Sequence, residues 1–515
     1  MPDDVDLGPP PALDVPAYLR RFDWHPEPEL IGVRDEAASR DAVRRRGEAT
    51  WGMAVDFLYE QAARRAMGAP GEYAVARARF FGTGRGPSPA PARPATATAV
   101  LDEFERRLAA EQLNAQHPRN YGYFTPPPLL MSIAGEVLAQ VANQGVDVWH
   151  AGPSAAFVEE EVVRWLCDLA GFGDGSFGLL TSGGVMANFL AMALARDVRL
   201  PELCGLERAP RGADLEGVRV YASDQAHFSI ARALDELGFP PATLAVIPAD
   251  GGFRLRAAPV AEAIARDRAA GLTPLAVAAV AGSTNTGAVD ALDELADLAV
   301  REGLWLHVDA AYGGAARLSS RLAARAPALE RADSVTVDPH KWFFQAYDIG
   351  GLLVRDGRQL ERVFGGRRPE YYRGGETTPR DDHDHDHDHD HDHDDIGQLN
   401  FWKLGFEGTR RWRALKLWMS WKHLGSDGLG RLVESTTGLA AHLARRCVEA
   451  DDFEVTTPEP ELSVVCFRHL PGGATAAAGL SPDALDAHQD TLQRLLEASG
   501  DGWLTTTRLR GSTWL

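Results

Sequence analysis

Between about residues 130 and 355 the chain alternates short apolar runs of strand type with segments of helical periodicity. The runs GVRVYAS (217–223), LAVAAVAGST (275–284), LWLHVDAA (304–311), DSVTVD (333–338) and GGLLVRD (350–356) are continuous in Val, Ala and Leu. Segments 185–196, 257–270 and 290–302 carry apolar residues at helical spacing. A strand buried on both faces reads as an unbroken apolar run, and the helices between such strands cover the two faces. The pattern predicts an α/β fold around a mostly parallel sheet. Ligands of such sheets bind beyond the carboxyl ends of the strands. The polar groups that follow the runs are TSGG, SDQAH, GSTNTG, DAAYGG and DPHKW.

The remaining chain divides by composition. Residues 1–125 read as a proline-rich, acidic arm followed by a helical segment (40–65) and a Pro/Ala/Gly linker (82–98). Residues 126–380 form the large domain, 381–400 a loop insertion rich in His and Asp, and 401–515 a small C-terminal domain. In the last, 409–425 reads as a long amphipathic helix and ELSVVCFRH (461–469) as a strand. No apolar run reaches the roughly 18 residues of a membrane helix, and the first 30 residues lack a signal-peptide layout, so a cytoplasmic protein without membrane contact is expected. The net charge of −20 is concentrated in DDHDHDHDHDHDHDD (381–395), which holds nine aspartates. No basic cluster remains to bind nucleic acid. Four scattered cysteines without CxxC spacing predict free thiols.

Lys341 lies in VDPHKWFF, between His340 and three large apolar residues. Alone it reads as a lysine snorkelling from a strand end, but a desolvated lysine is also a Schiff-base candidate. Asp309 closes the apolar strand LWLHVD and precedes Ala310, Ala311, Gly313 and Gly314. A carboxylate so placed is expected to be buried and to need a cationic partner, either a structural ion pair or the pyridinium nitrogen of pyridoxal phosphate. In GLLTSGGVMANFLAMALAR (178–196) a strand leads through Gly183 and Gly184 into a helix, an arrangement whose free amides attract phosphate. His227 follows a fourth strand, placed to stack on a cofactor ring or reach a carboxylate. Thr284 ends a fifth, placed near a phenolic oxygen.

Taken together, TSGGVMAN, SDQAH, HVDAAYGG and DPHKW make this chain resemble the group II pyridoxal-phosphate decarboxylases, the family of aromatic-L-amino-acid and glutamate decarboxylases. The likeness runs from about residue 40 to the C-terminus and includes HPRNYGYFTPP (117–127) and TRRWRALKLW (409–418). It implies an aspartate-aminotransferase-like (fold type I) architecture, pyridoxal 5′-phosphate as cofactor, and a homodimer. The implied activity is decarboxylation of an L-amino acid to the amine and carbon dioxide, with Lys341, Asp309, His227 and Phe401 as the catalytic positions. The implied cofactor set is Gly183, Gly184, Val185, His227, Thr284, Asp309, Ala311, Asp338, His340 and Lys341. Tyr123, Phe124 and Thr125 match the substrate side, and Tyr121, Tyr123, Phe124 and Trp149 favour an aromatic side chain if they line the pocket.

Two departures from the family pattern bear on function. Val185-Met186 stands where aromatic-type members often have Ser-Glu, a change that backbone amides tolerate. Counting back from Arg410-Arg411, Phe401 occupies the position of the loop tyrosine that protonates the α-carbon in family decarboxylases. With phenylalanine there, oxygen can intercept the carbanion, so the alternative product set is aldehyde, ammonia and peroxide. Tyr371 or Tyr372 would restore the donor. The His-Asp run has two readings, a solvated low-complexity expansion and a mobile binder of zinc, nickel or copper through His383, His385, His387, His389, His391 and His393. No metal site is expected elsewhere. A metal-buffering protein with a decayed active site is the remote alternative, against which Lys341, Asp309 and His227 stand.

Overall fold

A computed structural model describes residues 36–60, 63–66, 72–93, 95–109, 112–366 and 399–515. The His-Asp run, its six histidines, Tyr371 and Tyr372 lie outside the described residues. The chain separates into two compact units, 1–120 with 496–503, and 121–495 with 504–515. Within the first, the helix Glu36–Tyr59 occupies most of the segment expected to be helical, and Tyr73–Phe81 and Ala97–Glu103 are also helices. Asn120 and Trp503 form a parallel bridge there.

The second unit is built on seven strands: β1 (Phe177–Thr181), β2 (Val218–Ser223), β3 (Leu244–Ile247), β4 (Thr273–Val280), β5 (Trp305–Asp309), β6 (Ser334–Val337) and β7 (Gly350–Val354). Their order is β1-β7-β6-β5-β4-β2-β3. All pairings are parallel except the two made by β7, which runs antiparallel between β1 and β6. β3 was not among the sequence candidates. It is a four-residue edge strand with Val246 left 57% exposed, so it lacks the continuous apolar character of its neighbours.

Neighbouring residues of one strand feed opposite faces. Val277 and Ala279 enter one core with Leu306, Val308 and Val335, while Ala276 enters another with Val220, Trp305 and Leu352. Helices Pro153–Ala170, Ala257–Ala269 and Leu292–Glu302 contribute to the first core and Gly184–Leu194 to the second. That double cover is why these strands read as unbroken apolar runs.

Three boundaries differ from expectation, each because a side chain is bonded elsewhere. The helix expected from 290 starts at Leu292, since the buried Asp290 carboxylate accepts from the amides of Leu255 and Val280, both at 2.7 Å. The helix expected over 409–425 starts at Ala414 and continues to Glu449, with a break at Gly425. Ahead of it, Arg410 is drawn into the core by an ion pair with buried Glu159. Of the segment 461–469 only Phe467–His469 forms a strand, paired with Phe453–Val455. Before it, Glu461 accepts from the Val289 amide at 3.0 Å and Ser463 bonds the Tyr312 hydroxyl at 2.5 Å. Among the described residues no helix is long and apolar enough to cross a membrane.

Candidate active site

The parallel strands end at one edge of the sheet, where residues following β1, β2, β4, β5 and β6 enclose a cavity of about 320 Å³. Register sets its floor: Asp309 pairs with Val280 on one side and Thr336 on the other. All ten residues of the expected cofactor set line this cavity, together with Phe124.

Lys341 sits in the turn after β6, its amide donating to the Asp338 carbonyl at 2.8 Å. Its Nζ lies 3.1 Å from Asp338 Oδ2, and the side chain is a quarter exposed. The lysine is therefore ion-paired and reachable, rather than isolated in an apolar wall. Asp338 is almost fully buried, and its Oδ1 has no hydrogen-bond partner. His340 Nδ1 accepts from the Ile349 amide at 3.2 Å, and burial holds its imidazole below the ordinary histidine value against the pull of Asp338.

Across the cavity, the helix Gly184–Leu194 begins at Gly183, whose φ of 155° suits glycine. A Cβ on Gly184 would come within 2.9 Å of Asp338 Oδ2, and one on Gly183 within 3.2 Å of the His340 ring. The first-turn amides of Gly184 and Val185 have no partner within the helix, as at any helix start. They offer donors to an anion, supported by the helix dipole.

Asp309 is 7% exposed. Its Oδ1 accepts from the Ala311 amide at 3.1 Å and its Oδ2 from Asn188 Nδ2 at 2.8 Å. Among the described residues it forms no ion pair, although a buried carboxylate needs a cation. His227 is half-buried, its pKa lowered first by burial and raised less strongly by Asp309. A cationic ring over Asp309, an anion at Gly184 and a carbonyl at Lys341 make one coherent ligand, and pyridoxal phosphate has all three.

Residues 84–470 match the pyridoxal-dependent decarboxylase conserved domain. The chain belongs to that family. It is 34% identical over 411 residues to the aromatic-L-amino-acid decarboxylase of Bacillus atrophaeus, covering 80% of this chain and 78% of the relative. It is 33% identical over 413 residues to L-2,4-diaminobutyrate decarboxylase of Rhizobium meliloti (strain 1021), covering 80% and 76%. Among solved structures, an Oryza sativa TDC with PLP and tryptamine matches with a TM-score of 0.79 at 26% identity, covering 92% of each chain. The protein is thus a pyridoxal-phosphate-dependent carboxy-lyase acting on an amino acid, with the aspartate-aminotransferase-like fold.

Some expected positions of this decarboxylase fall away from the cavity. Phe401 is 1% exposed and packed in the core, its ring 6.2 Å from Phe177 and under the Arg410 guanidinium at 4.9 Å. The Phe401–Lys403 turn folds the segment inward where the sequence reading took it as part of a loop over the site. Phe401 is a core residue and does not line the cavity, against the expectation of a catalytic position there. On the substrate side, Tyr123 is 70% exposed and does not line the cavity. Nor do Tyr121 and Trp149. Thr125 reaches the site indirectly, through a 3.3 Å bond to the Tyr347 hydroxyl.

Sequence reasoning missed Asn188, Tyr312 and Tyr347, which also line the cavity of the decarboxylase. Asn188 carried a signal, being a polar side chain inside the apolar helix GVMANFLAMAL. Tyr347 carried none, since its place depends on Thr125 and on His340, whose ring centre is 4.6 Å away. Cys167, Cys447 and Cys466 are buried free thiols and Cys204 is exposed. Among the described residues no cluster of His, Cys, Asp or Glu is suited to a metal.

Proposed function

We propose that this decarboxylase acts on an aromatic L-amino acid and that Lys341, Asp309, His227 and the Gly183–Val185 turn are its working groups. The observation that carries the assignment is Asp309, a buried carboxylate with no ion pair among the described residues that faces the same cavity as Lys341. When bound, pyridoxal phosphate supplies an electron sink for the pair left at the α-carbon as carbon dioxide departs. Asp309 holds a proton on the ring nitrogen, its own orientation fixed by Asn188 and the Ala311 amide. The Gly184 and Val185 amides hold the phosphate. Lys341 Nζ would hold the cofactor through its carbonyl carbon. His227 would face the ring and be placed to meet the substrate carboxylate, while Thr284, His340 and Ala311 would bound the ring pocket.

The substrate class follows from what else faces the cavity. Phe124, Val185, Met186, Tyr312 and Tyr347 give an apolar and aromatic wall. Its carboxylates are Asp309, bonded to Asn188, and Asp338, paired with Lys341. Neither is spare to meet a second amino group, and beyond Lys341 the described lining has no lysine or arginine for a second acid. The relative from Bacillus atrophaeus is named for aromatic substrates. The homodimer is supported by Leu130, Val137, Leu138 and Val141, exposed apolar side chains on one helix. A cytoplasmic location remains the reading of the sequence.

Borohydride reduction of the holoenzyme should fix the cofactor on Lys341, read by peptide mass, and Lys341→Ala should abolish turnover. Label on another lysine would overturn the assignment. A screen of amino acids for amine, carbon dioxide, aldehyde and peroxide tests the substrate class. Preference for a diamino or acidic substrate would refute the aromatic reading.

A further inference from the structure

Asn188 is fully buried, and its side-chain amide fills every hydrogen-bonding position it has. Nδ2 donates to Asp309 Oδ2 and to Ser229 Oγ, both at 2.8 Å. Oδ1 accepts from Thr336 Oγ1 at 2.6 Å and faces His307 Nε2 at 3.0 Å. A carboxylate only accepts, so the amide must turn its NH₂ to Asp309; the reverse orientation would set oxygen against oxygen.

That one constraint orders a chain of protons. With Oδ1 turned to His307, the proton of that ring lies on Nε2. Burial brings the His307 pKa down to about 4, so the ring is neutral and Nδ1 is bare. Ser334 Oγ donates to it at 2.9 Å while accepting from Trp305 Nε1 at 3.0 Å. On the other side, Ser229 Oγ receives the Asn188 proton and keeps its own for His227 Nδ1, 2.8 Å away. The Ser229 backbone amide points to the same nitrogen at 3.4 Å. His227 Nδ1 is therefore an acceptor, and the proton of the neutral ring stands on Nε2.

We infer that Asn188 is a positioning residue that sets, with one side chain, both the Asp309 carboxylate and, through Ser229, the tautomer of His227. The decarboxylase then presents a preformed Nε2–H donor, suited to the carboxylate of its substrate, before any ligand enters. A donor set in advance needs no reorganisation when substrate binds. The inference rests on the reading that Asp309 and His227 serve the cofactor and substrate.

The test is a double-mutant cycle on the full-length holoenzyme with Ser229→Ala and His227→Phe, the latter keeping a ring but no nitrogen. Ser229→Ala should lower kcat/KM about three- to ten-fold, as one hydrogen bond allows, and should cost nothing further in the His227→Phe background. Additive losses would overturn the relay. Nitrogen NMR of the histidine-labelled apo chain, with His227 assigned by its absence in His227→Phe, should show the Nε2–H form. It should also show a mixture in Ser229→Ala. An Nδ1–H ring in the unsubstituted protein would refute the proton order. Asn188→Asp, if its thermal midpoint shows that it folds, should weaken pyridoxal phosphate binding far more than Ser229→Ala, because it sets two carboxylates together. Equal affinities would remove Asn188 from its dual role. Failure of the unsubstituted chain to bind pyridoxal phosphate would instead sink the underlying reading.

Discussion

The two sides of the cavity are built differently. On the floor, Asp309 is held by two hydrogen bonds, and its partner Asn188 by three more, all among buried groups. At the rim, Tyr347 is 56% exposed and rests on a ring contact and one 3.3 Å bond, while Val185 is 40% exposed. A buried polar group must be satisfied or costs free energy, so the floor has one arrangement. The rim is free of that constraint. On the function proposed above, the demands of the cofactor fall on the floor and the choice of substrate on the rim side chains.

The largest expected effect is therefore on the floor. Asp309→Asn keeps the shape but removes the charge that retains a proton on the ring nitrogen, and should lower kcat about 10²-fold or more for every substrate. Near-normal turnover with cofactor fully bound would break the contrast. At the rim, Tyr347→Phe removes the bond to Thr125 and should shift KM by about three-fold, the scale of one exposed hydrogen bond. It should change the ratio between substrates while cofactor affinity stays the same. A loss of cofactor would show that the rim also carries the floor's function. The smallest effect on chemistry is expected from Phe401→Tyr. It should leave the amine as product, with no change in aldehyde or peroxide, while the unpartnered hydroxyl lowers stability by about 1–3 kcal/mol. A shift in product ratio would return this residue to the active site.

The same contrast explains what could be read without coordinates. Most of the floor was legible because Asp309 closes a strand and Gly183 and Lys341 follow one, and a parallel sheet gathers strand ends at one edge. Gly183, Asp309 and Lys341 could be placed together from that rule alone. Asn188 lies inside a helix, and its role depends on partners from β5, β6 and the start of the helix after β2, which no local pattern announces. Phe401 was matched to the loop tyrosine by counting back from Arg410-Arg411, which carries no information on how the segment turns. The Phe401–Lys403 turn and the pull of Phe177 and Arg410 decided its place instead. Glu461–Cys466 had the composition of a strand, yet Glu461 and Ser463 are bonded to Val289 and Tyr312, and pairing with the Phe453–Val455 side begins at Cys466, whose carbonyl accepts from the Thr456 amide.

The antiparallel strand β7 also sets a timetable for synthesis. Among the described residues β1, which leads into the Gly183–Gly184 turn, pairs with no strand except β7, residue 177 against residue 354. Gly350 at the start of β7 also lies against Gly183 itself, with no room for a Cβ between them. In chain order Asp309, His227 and Lys341 all precede β7, the strand against which the Gly183–Gly184 turn is packed. Non-local pairings of this kind form late and leave a strand edge open while they wait. Until residues 350–354 have been made, β1 lacks the strand it pairs with and the turn that follows it lacks its neighbour Gly350.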